Sequence, residues 1–411
     1  MKSIAVLLLL FSILTSCASD ADCERRFAGT CLQEKIDTQP EQPVQDNPRR
    51  NVNETILNAK ALRYLEQSYR QGSALHDEYG LLRPYQTSTS EHIHAWDALF
   101  WNSLSLSAMC LIQASVDLRR LPGTFQLETE IAELWTHFKQ NLQTRDGRLY
   151  RHPDYQNGVL STSISRDGII GFLFLGAVAK DSGCAGVTFD YRYRLILLKE
   201  YALNHHDEMG VGQTNAKETK LRDKPLLNML LKMYHIDPVE DTDVPSADDM
   251  QPLLEHAESI YQTDLACQSG DVTLCKNNNI RFYLLHLHFL RNLVFWFDHQ
   301  HNKIPEHTLD DITEKARLLA LVGNRYHYYN WLFITGYRMI HSPRSYRDAS
   351  YYLQNNFPEN LPTNQQGVAD HGCAEYIWQK VDYDLSCAPI EDVTYIGTDF
   401  LLLFGLIHFY Q

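Results

Sequence analysis

Six helix-length segments of this 411-residue chain are apolar on every side, and segments with one polar face alternate with them. A helix that is apolar all round is buried, whereas a helix with a polar face lies at the outside of a fold. Six inner helices alternating with six outer ones predict an all-α fold, the (α/α)6 toroid, over residues 54–411. The twelve helices, of which the even-numbered ones are apolar, are predicted at 54–72, 91–118, 126–142, 165–181, 189–203, 224–234, 249–264, 277–299, 309–321, 326–341, 345–355 and 395–409.

The first residues, MKSIAVLLLLFSILTSCASD, have the lysine, the short apolar core and the small residues of a secretory signal. Leu14–Cys17 resembles the bacterial lipobox, in which the cysteine is lipidated and begins the mature protein. Residues 1–17 are therefore predicted to be a lipoprotein signal peptide, and residues 18–53 a flexible tether. The lipid bilayer is the expected partner, through an anchor on Cys17, and Ala18 favours the outer membrane. An ordinary signal whose cleavage discards Cys17 is the alternative.

The remaining eight of the nine cysteines form an even set, which suits an oxidising compartment. Cys110 and Cys184 are either a fourth pair or two buried thiols. Three further pairs are candidates because their cysteines are close in the sequence: Cys23 with Cys31, Cys267 with Cys275, and Cys373 with Cys387, although sequence alone does not fix the connectivity.

The charge and the missing motifs exclude several function classes. A formal net charge of −14 argues against a nucleic-acid partner. The sequence has no C-x-x-C, H-E-x-x-H, Walker loop or Rossmann glycine set, so we predict neither a metal site nor a cofactor. Nothing in the sequence indicates an oligomeric state.

One short motif and the helix pattern resemble a known family. The stretch His94–Trp101, HAWDALFW, is similar to the Trp-Asp-x-x-Phe start of an inner helix in some six-hairpin glycosidases and related toroidal carbohydrate enzymes, which include epimerases and polysaccharide lyases. The resemblance implies a carbohydrate-active protein, here with a carbohydrate ligand and a place in the bacterial cell envelope.

In such a toroid the inner helices run parallel, so their amino ends open on one face, where helix dipoles favour polar ligands. The second helix is predicted to start at a capping box of Ser88 and Glu91. His94, Asp97 and Trp101 then fall on one helical face. Trp101 is a candidate for stacking on a sugar ring.

The fourth helix is predicted to start at Arg166 and Asp167, after a long loop that carries Arg151, His152 and Asp154. The macrodipole keeps Asp167 ionised in the first turn. Arg151, His152 and Arg166 are candidate substrate-binding residues, as is Tyr328 at the start of the tenth helix. Asp167 as a mere helix-start charge, and Arg166 in a structural ion pair, are the alternatives.

We expect Asp97, flanked by aromatic rings, to act as a general acid and Asp167 as a base or nucleophile in glycoside hydrolysis. Asp97 paired with a buried arginine is the structural alternative. A lyase or epimerase is a second hypothesis, in which His94 or Tyr328 abstracts a sugar proton and Arg151 or Arg166 holds a uronate carboxylate. The third hypothesis is a non-catalytic protein that binds glycans or takes part in envelope assembly.

Overall fold

The computed structural model describes the chain over these residues: 52–73, 75–83, 85–86, 91–92, 98–115, 126–155, 166–184, 186–206, 224–236, 350–351, 353–355, 363–364 and 394–409. The chain divides into Met1–Asn51 and a compact unit, Val52–Gln411, to which every described residue belongs. The signal peptide with Cys17, and the four helices predicted between residues 249 and 341, lie outside the described residues.

The described residues are mostly helical, which confirms the all-α class for this part of the chain. Their seven α-helices are α1 (Glu54–Tyr64), α2 (Ala98–Ser115), α3 (Leu127–Leu142), α4 (Arg166–Ser182), α5 (Val187–Asn204), α6 (Lys224–Met233) and α7 (Thr398–Phe409). A π-helical turn, Leu65–Tyr69, continues α1. Two antiparallel pairings of two-residue strands join β1 (Tyr85–Gln86) to β2 (Glu91–His92), and β3 (Thr363–Asn364) to β4 (Thr394–Tyr395).

Burial separates the described helices into the two predicted kinds. Every residue is buried from 98 to 112 in α2, from 168 to 179 in α4 and from 400 to 407 in α7. Helix α3 buries one face and exposes the other, which carries Glu128 and Glu133. The prediction that the all-apolar helices are buried and that amphipathic ones have an exposed face is therefore confirmed for α2, α4, α7 and α3. Helix α6, also predicted to be apolar all round, exposes Asn228.

Helices α2 and α4 pack side by side and run in the same direction. Near their amino ends, a Cβ added to Gly171 of α4 would lie 3.3 Å from the Cα of Phe100 in α2. Near their carboxyl ends, a disulfide joins Cys110 of α2 to Cys184, two residues beyond α4, with the Cα atoms 5.2 Å apart. The disulfide settles the open question about these two cysteines, and the other six outside the signal lie beyond the described residues.

Helix α7 covers another side of α2 and also runs parallel to it. Its first residue, Thr398, hydrogen-bonds Ser105 at 3.0 Å between the hydroxyl oxygens. Further along, a Cβ on Gly405 would lie 2.9 Å from the Cβ of Leu111. Helix α2 thus lies between α4 and α7, and the amino ends of all three point the same way.

The outer helices run in the opposite direction. Helix α1 is antiparallel to α7, because Glu54 at its start lies 3.9 Å from His408, while Tyr69 beyond its end bonds the Thr398 hydroxyl at 2.8 Å. Helix α5 is likewise antiparallel to α4. The Thr188 hydroxyl donates to the carbonyl of Ala179 at 2.7 Å.

Helices α3 and α5 are neighbours that run parallel to each other. Trp135 donates its indole N–H to Asp190 at 3.2 Å, and Gln143 donates to the carbonyl of Arg194 at 3.0 Å. Helix α6 ends beside the second half of α4, where Tyr234 donates to a carbonyl of that helix at 2.7 Å. None of the described helices has the length and apolarity needed to cross a bilayer.

The predicted start of the second helix is wrong. Helix α2 begins at Ala98, and Glu91 belongs to β2, opposite Gln86 of β1. The Ser88 and Glu91 spacing imitates a capping box, but here the backbone around Glu91 pairs with another strand. A capping box is a local pattern, and a cross-strand pairing overrides it.

Candidate functional site

Two loops converge on the first turns of α2. The carbonyl of Arg151 accepts the backbone N–H of Leu99 at 3.1 Å, which satisfies one of the donors left open at a helix start. The buried amide of Asn102 accepts the backbone N–H of Leu82 at 2.9 Å and donates to the carbonyl of the same residue at 3.2 Å. Segments 75–83 and 150–155 therefore lie together at the amino end of α2, and we call this region the amino-end site.

A tight turn positions the first charged pair of the site. Gly80 has φ +72° and donates its N–H to the carbonyl of Asp77 at 2.9 Å. The Asp77 carboxylate accepts the backbone N–H of Tyr79 at 2.8 Å and that of Leu81 at 2.9 Å. Its second oxygen contacts the Nε of Arg83. Two backbone N–H groups of the turn and the guanidinium of Arg83 therefore fix the orientation of the Asp77 carboxylate.

The Asp77–Arg83 ion pair is buried, with side-chain exposures of 0% and 4%. Burial raises the pKa of Asp77 above its usual value, and the positive charge of Arg83 and the two backbone N–H groups oppose that rise. Glu78, which is exposed, lies 3.9 Å from the other end of the Arg83 guanidinium. Arg83 thus places a buried positive charge next to the amino-end site.

A second cluster joins the two loops. Tyr79 donates its hydroxyl to the carboxylate of Asp154 at 2.6 Å, and its ring lies edge-on to the ring of His152. That hydrogen bond, together with burial, raises the pKa of Tyr79 above its usual value. The other carboxylate oxygen of Asp154 lies 3.2 Å from the Nδ1 of His152. Three polar side chains are thus close together, and the hydrogen bond from Tyr79 to Asp154 joins the two loops.

His152 is fully buried and uncharged at neutral pH. Burial, helped by the positive charge of Arg83 and opposed by Asp154, lowers the pKa of His152 to about 4. Its Nδ1 accepts the backbone N–H of Asp154 at 3.1 Å, so Nε2 carries the proton of the neutral ring. That Nε2 is buried and has no hydrogen-bond partner within the described part of the chain.

The chemistry of the amino-end site is hydrogen bonding by fixed groups. Asp154 supplies carboxylate oxygens, Tyr79 a hydroxyl oxygen with two lone pairs, and His152 an N–H donor. Such mixed donors and acceptors suit a ligand that carries hydroxyl groups. Within the described residues, no group of three His, Cys, Asp or Glu side chains is placed to hold a metal ion.

The structure brings some of the residues predicted from sequence to this site. Arg151 and His152 lie at the amino end of α2, and Arg166 and Asp167 are the first two residues of the neighbouring parallel α4. The structure describes the helical backbone at Arg166 and Asp167 but not their side chains.

The other predicted site residues lie elsewhere or beyond the description. Trp101 is 3% exposed and packs edge-on against Phe100 at 4.6 Å, within the core. His94, Asp97 and Tyr328 lie outside the described residues.

The sequence reasoning missed Asp77, Tyr79 and Arg83. A signal for them exists, because Asp followed three residues later by Gly is a pattern of type I turns. The stretch from 77 to 80, DEYG, has that pattern and lies between two predicted helices. It predicts the turn but not its contact with the loop around His152.

Comparison of this chain with protein-family models, with curated proteins and with solved structures found no match. The likeness to six-hairpin glycosidases therefore stays a prediction from the sequence.

Proposed function

We propose that this protein is a carbohydrate-active lipoprotein of the bacterial envelope, built as an (α/α)6 toroid with its ligand site at the amino ends of the inner helices. The observation that carries the proposal is the parallel packing of α2, α4 and α7, which brings the amino ends of α2 and α4 together beside the amino-end site. The amino end of α7 points the same way and lies about two turns further along α2. Aligned helix starts favour anions and polar ligands.

The contact between α7 and α2 supports the toroid in particular. These helices are the twelfth and the second of the predicted set, and in a closed double ring the last inner helix packs against the first. The Ser105–Thr398 hydrogen bond joins them across 293 positions. An open solenoid, in which each repeat contacts only its neighbours, offers no such contact.

The proposed reaction is glycoside hydrolysis, with Asp97 as the acid and Asp167 as the base or nucleophile. Asp97 directly precedes α2, and Asp167 is the second residue of α4. Packed helix axes lie about 8–10 Å apart, and hydrolytic carboxylates are separated by roughly 5–9.5 Å. Gly171 allows the two helices to approach closely near these ends. Asp154 and Tyr79, which are partly exposed, would then bind sugar hydroxyls beside the reacting bond.

The disulfide between Cys110 and Cys184 supports the envelope location, because structural disulfides persist in oxidising compartments. This agrees with a lipid anchor on Cys17, which we propose from the sequence. The tethered domain would then meet glycans at the membrane surface.

The test is the turnover of a panel of glycans by Asp97→Asn and Asp167→Asn, measured as release of reducing ends. We expect each variant to lose at least about a hundredfold in kcat, because acid–base catalysis contributes about that much, with unchanged melting temperature. The matched control is Asp181→Asn, which makes the same change at the opposite end of α4 and should retain full turnover.

Three other results would overturn the proposal of hydrolysis. Full turnover in both variants removes the two carboxylates from the reaction. A product with an unsaturated sugar that absorbs in the ultraviolet indicates a lyase. Ligand-induced shifts in melting temperature without turnover of any glycan indicate a binding protein.

A further inference from the structure

Helix α5 carries a stripe of large apolar side chains on its outward face. Phe189 is 90% exposed, Tyr193 54% and Leu203 65%, and Ile196, which lies between them, is partly buried. Their spacings of four, three and seven residues place all of them on one side of a helix. The opposite side, with Tyr191 among others, is buried against the rest of the bundle. A row of exposed large apolar side chains along one helix face is typical of an interaction site.

The stripe also carries two opposite charges. Arg192 and Glu200 are both exposed and lie on the same side of α5 as the apolar residues. Arg192 donates to the carbonyls of Tyr234 at 3.1 Å and His235 at 3.2 Å. Backbone carbonyls carry no net charge, so these hydrogen bonds position the guanidinium near the surface without neutralising its positive charge.

The stripe is complementary to itself. Phe189 and Leu203 are each seven positions from Ile196, and Arg192 and Glu200 are each four positions from it, on opposite sides. If two copies of α5 lie antiparallel about a two-fold axis at Ile196, Phe189 of each meets Leu203 of the other. Arg192 of each then meets Glu200 of the other. A two-fold interface needs this kind of self-complementary patch.

We infer that the protein forms a two-fold homodimer through antiparallel contact of α5 with α5 of a second copy. This inference goes beyond the proposed function and does not depend on the glycan site. The position of Glu200 within the stripe favours a second copy over an anionic membrane surface, which would repel that carboxylate. The formal net charge of −14 adds to this repulsion.

The dimer is expected to be weak. Specific interfaces bury about 800 Å² per partner, and one pair of helices buries less. We therefore expect a dissociation constant on the order of 10 μM or above, so that dimers appear only in concentrated protein or at a crowded membrane.

The first experiment is a charge swap on the full chain, read by sedimentation velocity over a concentration series. Arg192→Glu and Glu200→Arg should each weaken dimerisation by about tenfold or more, because each places like charges opposite one another. The double variant exchanges the charges and should return to within about threefold of the original protein. Phe189→Ser should also weaken the dimer at least about tenfold, with an unchanged melting temperature because the side chain is exposed.

The second experiment does not depend on the bonds that Arg192 makes within one copy. A cysteine at Ile196 lies on the axis, so Ile196→Cys should form a disulfide-linked dimer under oxidising conditions. Phe189→Cys should not, because its two copies would lie about 21 Å apart along the helix. The mixture of Phe189→Cys with Leu203→Cys should cross-link as a heterodimer.

Several outcomes would overturn the inference. A protein that stays monomeric at every concentration, cross-linking at 189 rather than 196, or no recovery in the charge-swapped double variant each contradicts the antiparallel dimer. If instead the stripe binds anionic vesicles, and Glu200→Arg strengthens that binding while the protein stays monomeric, the stripe is a membrane contact.

Discussion

The two ends of α2 are held in place by different kinds of interaction. At its carboxyl end, a disulfide from Cys110 to Cys184 and apolar packing against Gly405 fix the neighbouring helices. At its amino end, buried polar groups do so: the Asp77–Arg83 pair and the neutral His152. The carboxyl end relies mainly on apolar contacts and a covalent bond, whereas the amino end relies on a buried ion pair and other groups that are costly to bury.

This difference supports the proposed place of the functional site, at the amino end of α2. A fold that needed stability alone could fill both ends with apolar side chains, since replacing a buried ion pair by packed apolar residues is often neutral or stabilising. Perturbed pKa values and buried unpaired donors are enriched at functional sites. His152 has both features, with a lowered pKa and an Nε2 that lacks a hydrogen-bond partner within the described residues.

The largest expected effect is that of Arg83→Met at the amino end. The change leaves the Asp77 carboxylate, whose side chain is fully buried, without its counter-charge. We expect the free energy of unfolding to fall by about 3–5 kcal/mol, measured by denaturant titration.

Two companion variants sharpen this result. Asp77→Asn together with Arg83→Met should recover part of the loss, because no unpaired charge stays buried. Lys139→Met, which breaks a partly exposed pair with Asp190, should cost less than about 1 kcal/mol. If Arg83→Met and Lys139→Met lowered the free energy of unfolding equally, burial of the Asp77–Arg83 pair would not make it more important for stability than a partly exposed pair.

The next effect comes from the carboxyl end. Replacing both Cys110 and Cys184 by Ala removes a cross-link across 74 positions and should lower the free energy of unfolding by about 2–4 kcal/mol. Amide hydrogen exchange should accelerate around residue 184 and stay unchanged at 77–83. Acceleration of the same size at 77–83 would show that the two ends are not independent.

The third effect concerns pH and returns to the amino end. Because the pKa of His152 is lowered to about 4 in the folded protein, the unfolded chain, with a pKa near 6.5, binds the proton more readily. The free energy of unfolding should therefore fall by about 3 kcal/mol as the pH drops from about 6.5 to about 4, and His152→Gln should remove that part of the dependence.

His408, at the carboxyl end of α7, provides a matched control for this prediction. Burial lowers the pKa of His408 to about 4 as well, so His408→Gln should remove a similar share of the pH dependence. The effects of the two substitutions should add, because the residues lie at opposite ends of the bundle. An unchanged slope in His152→Gln would show that His152 is already solvated in the folded protein.

Much of the helical framework could be predicted from the sequence, because the pattern of apolar residues reports burial directly. The all-apolar run that contains Ile169 and Ile170 became the inner α4, and the exposed face of α3 was visible in its alternating polar residues. The start of α2 could not be predicted in this way. The pairing of Glu91 with Gln86 is a contact between strands, and a local capping signal carries no information about it.

The candidate site was less accessible to sequence reasoning than the framework. Arg151, His152 and Asp154 stood out as charged residues in a long loop, but their partners lie about seventy positions earlier. The bond from Tyr79 to Asp154 depends on how two loops meet at the end of α2. The periodicity of apolar residues in helices does not report contacts between loops. The roles of Asp77, Tyr79 and Arg83 could therefore be recognised only in the three-dimensional structure.

The packing of α7 on α2 has a consequence for how the protein is made. The hydroxyl of Thr398 bonds that of Tyr69 across 329 positions and that of Ser105 across 293. During synthesis, the side of α2 that α7 covers has no native partner until the ribosome has passed residue 409. Contacts so distant in the sequence form slowly. The emerging chain therefore exposes the apolar side of α2 for most of its translation.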